Sequence, residues 1–156
     1  MRHFIFIMMM LNFACSRSDH AQFIHNEESK SVEIEVIDNE IMGCGASISF
    51  NKKDDENRRY VFVENMDEEP FMKMNGKIVF PKYVRTISSQ GDSKIGDKSI
   101  EVYTINGDVK MEVEWTITWL CPKNDESCEV TYYDVVMTLT QHSSKKIYKL
   151  FGRVGC

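Results

Sequence analysis

The chain has 156 residues, of which 24 are acidic, 19 are basic and 42% are hydrophobic, and its formal net charge is −5. This length fits one domain with a hydrophobic core of its own. The acidic balance disfavours contact with a phosphate backbone, so we expect no nucleic-acid partner.

The first 14 residues have the pattern of an export signal. Arg2 stands before the apolar run Phe4–Leu11, and the small residue Ala14 follows shortly before Cys15. An apolar run this short cannot span a bilayer, which needs about 20 residues. Residues 1–14 are therefore predicted to be a signal peptide.

The segment Leu11–Cys15 resembles the lipobox of bacterial lipoproteins, in which a cysteine after a small residue becomes the acylated new N-terminus. Ala14 and Cys15 fit that pattern, whereas Asn12 and Phe13 depart from it. The resemblance implies a lipid on Cys15 and attachment to a membrane through it, because several acyl chains together bind stably. The alternative is ordinary cleavage near Ala14, which would leave Cys15 as a free thiol.

Residues 15–30 are predicted to form the lipid-anchored N-terminus and a flexible tether. The segment is polar and has no strong periodicity, and a flexible coil of this length spans roughly 20 Å. His20 and His25 lie in it, and we expect them to be solvated rather than to bind metal.

The chain from residue 31 to residue 156 is predicted to be one antiparallel all-β domain, a sandwich or barrel-like fold of about eight strands closed by disulfides. Apolar residues recur at every second position there, which is the period of a strand and not of a helix. The charged segments Asn51–Arg59 and Ser88–Lys98 are expected to be loops, the second of them mobile. The expected strands are Val32–Val36, 41–50, Tyr60–Val63, Phe71–Met74, Lys77–Phe80, Ile100–Ile105, Val109–Leu120, Cys128–Gln141 and Ile147–Val154.

Two Asn-Gly pairs mark hairpins. Asn75-Gly76 and Asn106-Gly107 each stand between apolar runs, and Asn-Gly is the preferred sequence of the two-residue type I′ turn. We expect such a turn at both places.

The segment 109–120 has the clearest alternation in the chain, and both of its tryptophans are predicted to lie in the core rather than to form a ligand platform. Direct pairing across the following turn would place Trp115 opposite Asp134, which is unfavourable for a buried ring. A shift of one residue places Trp115 opposite Tyr133 instead. A one-residue shift reverses the faces of a strand. We therefore expect a bulge near the turn, which would allow both the Cys121–Cys128 disulfide and the pairing of apolar faces.

The remaining four cysteines allow three pairings, and we favour Cys121–Cys128 with Cys44–Cys156. The entropy of loop closure predicts contributions of about 2–3 and 4–5 kcal/mol respectively. A zinc site is the alternative, but Cys121 and Cys128 are too far apart in sequence for the usual ligand spacing and have no histidine nearby. An exported chain also favours disulfide bonds.

The sequence contains few candidate catalytic residues, so we expect that the protein is not an enzyme and binds no cofactor and no metal. Beyond the tether the only histidine is His142, in a polar turn, and a histidine-activated nucleophile would have to use it. The acid clusters Asp54–Glu56 and Asp67–Glu69 are expected to be solvated loops rather than catalytic pairs. Met72 and Met74 share one face of a strand and are expected to pack in the core rather than to bind copper.

The segments around the cysteines resemble a group of exported bacterial proteins without an assigned activity, many of them lipoproteins. The resemblance covers roughly residues 43–156. It implies that the protein is exported, but it implies no activity. A disulfide-closed β domain behind a lipid anchor is also similar in layout to lysozyme-inhibitor lipoproteins, although layout does not transfer function. The segments in question are Gly43-Cys44-Gly45, Met74–Lys77, Cys121–Val130 and Gly155-Cys156.

We therefore expect a non-catalytic binding or inhibitor module of the bacterial cell envelope, held there by its lipid. The acidic chain would attract a basic protein partner, and the candidate contact loops are Asn51–Arg59, Met66–Glu69 and Ser88–Lys98. The alternative is a structural or envelope-assembly lipoprotein without a soluble ligand. In that case the strand Cys128–Gln141, which is apolar on both faces, should leave an exposed apolar patch of several hundred Å² for self-association or for a barrel partner.

Overall fold

Ten strands and one short helix are present in the residues that the computed structural model describes, which are 32–37, 44–89 and 94–156, without the side chains of residues 88 and 89. The predicted signal peptide, the tether, Cys15 and both tether histidines lie outside these residues. The elements are β1 Ile34–Glu35, β2 Gly45–Ser49, α1 Lys52–Glu56, β3 Phe62–Asn65, β4 Phe71–Met74, β5 Lys77–Val79, β6 Lys82–Ser89, β7 Lys98–Ile105, β8 Val109–Trp119, β9 Val130–Gln141 and β10 Ser144–Gly155.

All the strands belong to one antiparallel sheet in the order β1-β4-β3-β2-β10-β9-β8-β7-β6, with β5 paired to β4. The sheet is open, because its end strands β1 and β6 do not pair with each other. It folds over itself instead: the ring of Phe62 on β3 meets that of Tyr103 on β7 edge-on, with the centroids 5.7 Å apart. The predicted all-β, antiparallel, disulfide-bridged domain is confirmed, with a sandwich-like core between the two halves of a single sheet.

Strand β8 forms the centre of this core, as its alternation predicts. Its buried side chains pack against those of β9 and against β2, β3 and β4 from the other half of the sheet. Burial of alternate residues leaves the opposite face of the strand to polar side chains. The buried residues of β8 are Val109, Met111, Val113, Trp115 and Ile117.

The pairing of β8 with β9 confirms the predicted bulge and corrects the predicted register. Trp115 stands opposite Val135 rather than Tyr133, and the register shifts between Ile117 and Trp119. A difference of two residues keeps the same face inward, so the ring of Trp115 still meets that of Tyr133 diagonally at 5.4 Å.

The two Asn-Gly turns differ. Met74 pairs with Lys77 around Asn75 and Gly76, whose φ angles are 48° and 76°, so the predicted two-residue type I′ turn is confirmed. The second hairpin has a three-residue connection, because Ile105 pairs with Val109. Asn106 and Gly107 still have positive φ angles of 52° and 83°. The predicted strand ends Ile105 and Val109 are confirmed, but the connection has one residue more than the predicted type I′ turn.

Two elements were not predicted. The segment Asn51–Arg59 contains α1, which begins because the side-chain oxygen of Asn51 accepts a hydrogen bond from the backbone N–H of Asp54 at 3.0 Å. Strand β6 has register breaks on both sides of Arg85, and such bulges remove the period-two pattern that identifies a strand.

The segment predicted as a mobile loop, Ser88–Lys98, is only partly a loop. Its first two residues belong to β6 and Lys98 belongs to β7, while residues 90–93 lie outside the described part of the chain. Gly96 and Asp97 are attached to β8, since the N–H of Gly96 donates to the carbonyl of Ile117 at 2.8 Å and the N–H of Ile117 donates to the carbonyl of Asp97 at 3.0 Å.

Both predicted disulfides are formed. Cys44–Cys156 joins the start of β2 to the end of β10, and Cys121–Cys128 closes the turn between β8 and β9. Two disulfides fit an oxidising extracellular or periplasmic environment. Within the described ranges, no helix combines the length and the apolar character that crossing a membrane requires.

Candidate functional site

Three aromatic rings lie side by side on the outer face of the sheet, which we define as the face opposite the core. Trp119 on β8, Tyr132 on β9 and Phe151 on β10 form this aromatic row. The ring centroids of Trp119 and Tyr132 are 5.3 Å apart, and those of Tyr132 and Phe151 are 5.5 Å apart, with tilts of 39° and 37°.

The bulge in β8 is the reason that Trp119 belongs to this row. Side chains alternate between the two faces of a strand, so Trp119 would share the core face with Trp115 if β8 were regular. The register shift after Ile117 reverses the alternation and pairs Trp119 with Tyr132. Trp119 is 38% exposed whereas Trp115 is 4% exposed, so the prediction of two core tryptophans is confirmed for Trp115 and wrong for Trp119.

An open cleft of about 480 Å³ lies beside the row, between the start of α1 and the outer face of β9 and β10. Its volume is in the range of small-ligand sites. Phe50, which precedes α1 and is 37% exposed, adds a fourth aromatic ring to its wall. The lining residues are Phe50, Asn51, Lys52, Asp134, Val135, Val136, Lys149, Leu150 and Phe151.

Asp55 is the buried residue of α1 and faces the sheet. The carboxylate of Asp55 lies 3.8 Å from the guanidinium of Arg153 on β10. Burial raises the pKa of Asp55, and the nearby Arg153 opposes that rise. The acid cluster Asp54–Glu56 was predicted to be solvated, which is wrong for Asp55, because the helix turns this residue toward the sheet.

The same helix places a cation over the aromatic row. The ammonium of Lys52 lies 5.8 Å from the centroid of the Tyr132 ring, within the range of a cation–π contact. With Lys149 and Asp134 the cleft therefore has two ammonium groups and one carboxylate among its lining residues. Its walls combine aromatic surface with both hydrogen-bond donors and an acceptor.

A second polar cluster lies between the two halves of the sheet. The hydroxyl of Tyr103 is 3.0 Å from a carboxylate oxygen of Glu101 and 3.2 Å from one of Glu64, and the indole N–H of Trp115 donates to Glu101 at 2.8 Å. Burial first, and the charge of Glu101 second, raise the pKa of Glu64. Burial and the two carboxylates also raise the pKa of Tyr103.

The raised pKa of Glu64 predicts a pH-dependent loss of stability. Above the ordinary glutamate pKa of 4.5 the folded chain holds the proton of Glu64 more tightly than the unfolded chain does. The free energy of unfolding therefore falls as the pH rises through this window. We expect the loss of unfolding free energy due to Glu64 to be less than about 1 kcal/mol, because the side chain is only half-buried. The substitution Glu64→Gln should remove this loss.

Urea unfolding of both proteins at pH 4 and pH 7 measures this effect, and all other titrating groups are common to the two proteins. A Glu64→Gln protein that loses as much stability as the parent between these pH values would contradict the assignment.

The other residues considered from the sequence do not form a site. His142 lies in an exposed turn between β9 and β10, and Met72 and Met74 are buried in the core as expected. Asp67, Glu68 and Glu69 are exposed in the turn after β3. No group of three or more potential metal ligands occurs within residues 32–37, 44–89 and 94–156.

Sequence reasoning missed the aromatic row and the carboxylates of Glu64 and Glu101. Glu101 left a usable signal, since it is in phase with the buried residues Tyr103 and Ile105. The row left only a partial signal, since Tyr132 and Val136 make the second face of β9 apolar, whereas the place of Trp119 depends on the bulge. Comparisons of the chain with protein-family models, with curated proteins and with solved structures found no match. The geometry of the site is therefore the basis for assigning a function.

Proposed function

We propose that this chain is a non-catalytic binding module whose ligand site is the aromatic row with its adjoining cleft. The carrying observation is that three aromatic rings contact one another across three strands on the outer face of the sheet. Trp119 is 38% exposed and the other two rings are partly buried. Single exposed apolar residues are common on protein surfaces, whereas contiguous apolar surface rimmed by polar groups marks binding sites.

The chemistry of the cleft supports binding without catalysis. Asp134 is the only carboxylate among the lining residues, and its companions are the ammonium groups of Lys52 and Lys149. General acid–base hydrolysis of a glycosidic bond uses two carboxyl groups on opposite sides of that bond. The arrangement is better suited to holding a ligand than to reacting with it.

The cell envelope is the proposed location, with a lipid on Cys15 as the anchor. The lipobox-like segment before Cys15 and the two disulfides support this address. The four other cysteines are paired with one another, so Cys15 has no partner for a bond within the chain.

Growth of expressing bacteria with a fatty-acid probe tests the anchor. We expect label on the parent chain and none on Cys15→Ala, because the thiol is the acylated atom. Ser16→Ala is the matched control and should stay labelled. A Cys15→Ala protein that carries as much label as the parent contradicts the anchor.

A basic protein partner is the second part of the proposal, and the turn Met66–Glu69 supports it. Met66 is 70% exposed, and three exposed carboxylates follow it directly. This combination of an apolar contact and a local negative charge is suited to a cationic surface, and attraction of this kind weakens as salt is added.

The structural alternative is favoured by a different surface, the edge of the sheet at β6. Tyr83, Val84 and Ile87 are exposed there, and β6 is an end strand of the sheet. Exposed apolar edge strands pair with other chains. A structural role through β6 therefore predicts self-association, whereas a binding role predicts capture of another molecule.

Capture from an envelope extract separates these possibilities. The chain is immobilised and the bound material is compared between the parent, Trp119→Ala and a triple variant of Asp67, Glu68 and Glu69 to the amides, at low and high salt. A binding module should capture a component whose recovery falls in Trp119→Ala, and a basic protein should be lost at high salt and in the triple variant. Sedimentation as an oligomer without any captured component would instead support the structural role.

A further inference from the structure

We propose that the aromatic row and its cleft bind a short saccharide, and that the two ammonium groups of the cleft favour a saccharide that carries carboxylates. The inference rests on the proposed function, because it assigns a ligand class to the same site. It is argued from the ring surface, the size of the site and the charges around it.

The ring surface suits a sugar. The two faces of a pyranose ring expose C–H groups, which are apolar and slightly positive, and the face of an aromatic ring carries partial negative charge. Trp119, Tyr132 and Phe151 place such rings in a row with steps of 5.3 and 5.5 Å. Trp119 is 38% exposed, whereas Tyr132 and Phe151 are partly buried. One sugar unit can therefore stack on Trp119, and the next unit can contact the exposed parts of the other two rings.

The size of the site favours a small ligand over a protein. A stable protein interface covers about 800 Å² on each partner and involves about 20–30 residues. The site consists of three rings and a cleft of about 480 Å³ lined by nine residues. This volume is sufficient for a few sugar units.

The polar groups of the cleft match the hydroxyl groups of a saccharide. A hydroxyl both donates and accepts hydrogen bonds, and the lining residues offer the carboxylate of Asp134 as an acceptor and the ammonium groups of Lys52 and Lys149 as donors. Asn51 is already engaged by its hydrogen bonds to Asp54. The ammonium of Lys52 lies over the Tyr132 ring, so a ligand would meet Lys52 together with that ring, and Lys149 and Asp134 as separate groups.

The balance of charge sets the preference among saccharides. Two ammonium groups and one carboxylate line the cleft, and Arg153 beneath α1 is opposed by the buried Asp55. The local charge therefore attracts a carboxylate on the ligand and repels an ammonium group. We expect affinity to decrease from a uronic-acid trimer through a neutral glucose trimer to a glucosamine trimer.

Titration calorimetry of the full exported chain with trimers of galacturonic acid, glucose and glucosamine tests the proposal. Trp119→Ala and Phe151→Ala should each weaken binding of the uronic-acid trimer about tenfold, since loss of an aromatic contact has an effect of this order. Trp119→Tyr should keep most of the affinity, because a ring remains. Phe80→Ala is the matched control, since Phe80 is an exposed aromatic residue outside the row.

Lys149→Gln should remove the preference for the acidic trimer without abolishing binding of the neutral one. Circular dichroism of each variant establishes that it is folded. Absence of binding by all three trimers overturns the proposal, as does equal binding by the parent and a folded Trp119→Ala protein.

The two proposals fail differently. If no trimer binds but Trp119→Ala still loses a component captured from the envelope extract, the saccharide proposal is overturned and the binding module stands. If Trp119→Ala changes neither trimer binding nor capture, the aromatic row is not the site and both proposals fall.

Discussion

Replacing Cys44 and Cys156 by serine should lower the free energy of unfolding by about 4–5 kcal/mol, because the bond closes a very long loop. The two residues are 112 positions apart, so their bond removes much of the conformational freedom of the unfolded chain. It also joins the outer ends of β2 and β10, whose pairing connects the two halves of the sheet. Urea unfolding of the double variant measures this loss.

The second disulfide is the internal control for this prediction. Cys121 and Cys128 are only 7 positions apart, so replacing both by serine should lower the free energy of unfolding by only about 2–3 kcal/mol. The Cys44–Cys156 variant should therefore unfold at a clearly lower urea concentration than the Cys121–Cys128 variant. The reverse order would show that closure of the long loop is not the dominant contribution.

Trp115→Ala should mainly lower stability, whereas Trp119→Ala should mainly weaken ligand binding. Trp115 is buried and its ring covers Gly152, so Trp115→Ala should lower the free energy of unfolding by about 3–5 kcal/mol. Trp119 lies on the outer face, and Trp119→Ala should change stability by less than about 1 kcal/mol while it reduces ligand capture.

Urea unfolding of both variants, together with the capture assay, measures this contrast. Gly152→Ala provides an independent check on the packing of Trp115, because a Cβ atom there would lie 2.7 Å from the indole ring and 2.6 Å from Val135. We expect it to lower stability by about 1–3 kcal/mol through overpacking. Equal destabilisation by Trp115→Ala and Trp119→Ala would mean that the bulge does not reverse the face of β8.

Much of the sheet was predictable because it is encoded locally. The alternation from Val109 to Ile117 identifies a strand with one buried face, and the structure buries those residues. Asn75-Gly76 predicts its own turn, since the two residues adopt positive φ at little cost. Pairing of the cysteines followed from their places at strand ends.

The errors have one physical origin, which is dependence on a register shift or on a neighbouring element. The breaks around Arg85 hid β6, and the burial of Asp55 depends on how α1 packs against the sheet beside Arg153 of the distant strand β10. Glu64 and Glu101 are far apart in sequence and meet only because the sheet folds over itself.

By itself, the sequence determined the strand content, the type of the Asn75-Gly76 turn and the disulfide pairing. Each of these depends on a local pattern, which is the alternation of apolar residues, the Asn-Gly pair or the position of a cysteine at a strand end. Tertiary structure alone decided the face on which Trp119 lies, and with it the aromatic row. A single extra residue in β8 reverses every side chain beyond it. The alternation of apolar residues predicts a bulge near the turn, but it does not show that the extra residue precedes Trp119, because that position is set by how β8 pairs with β9.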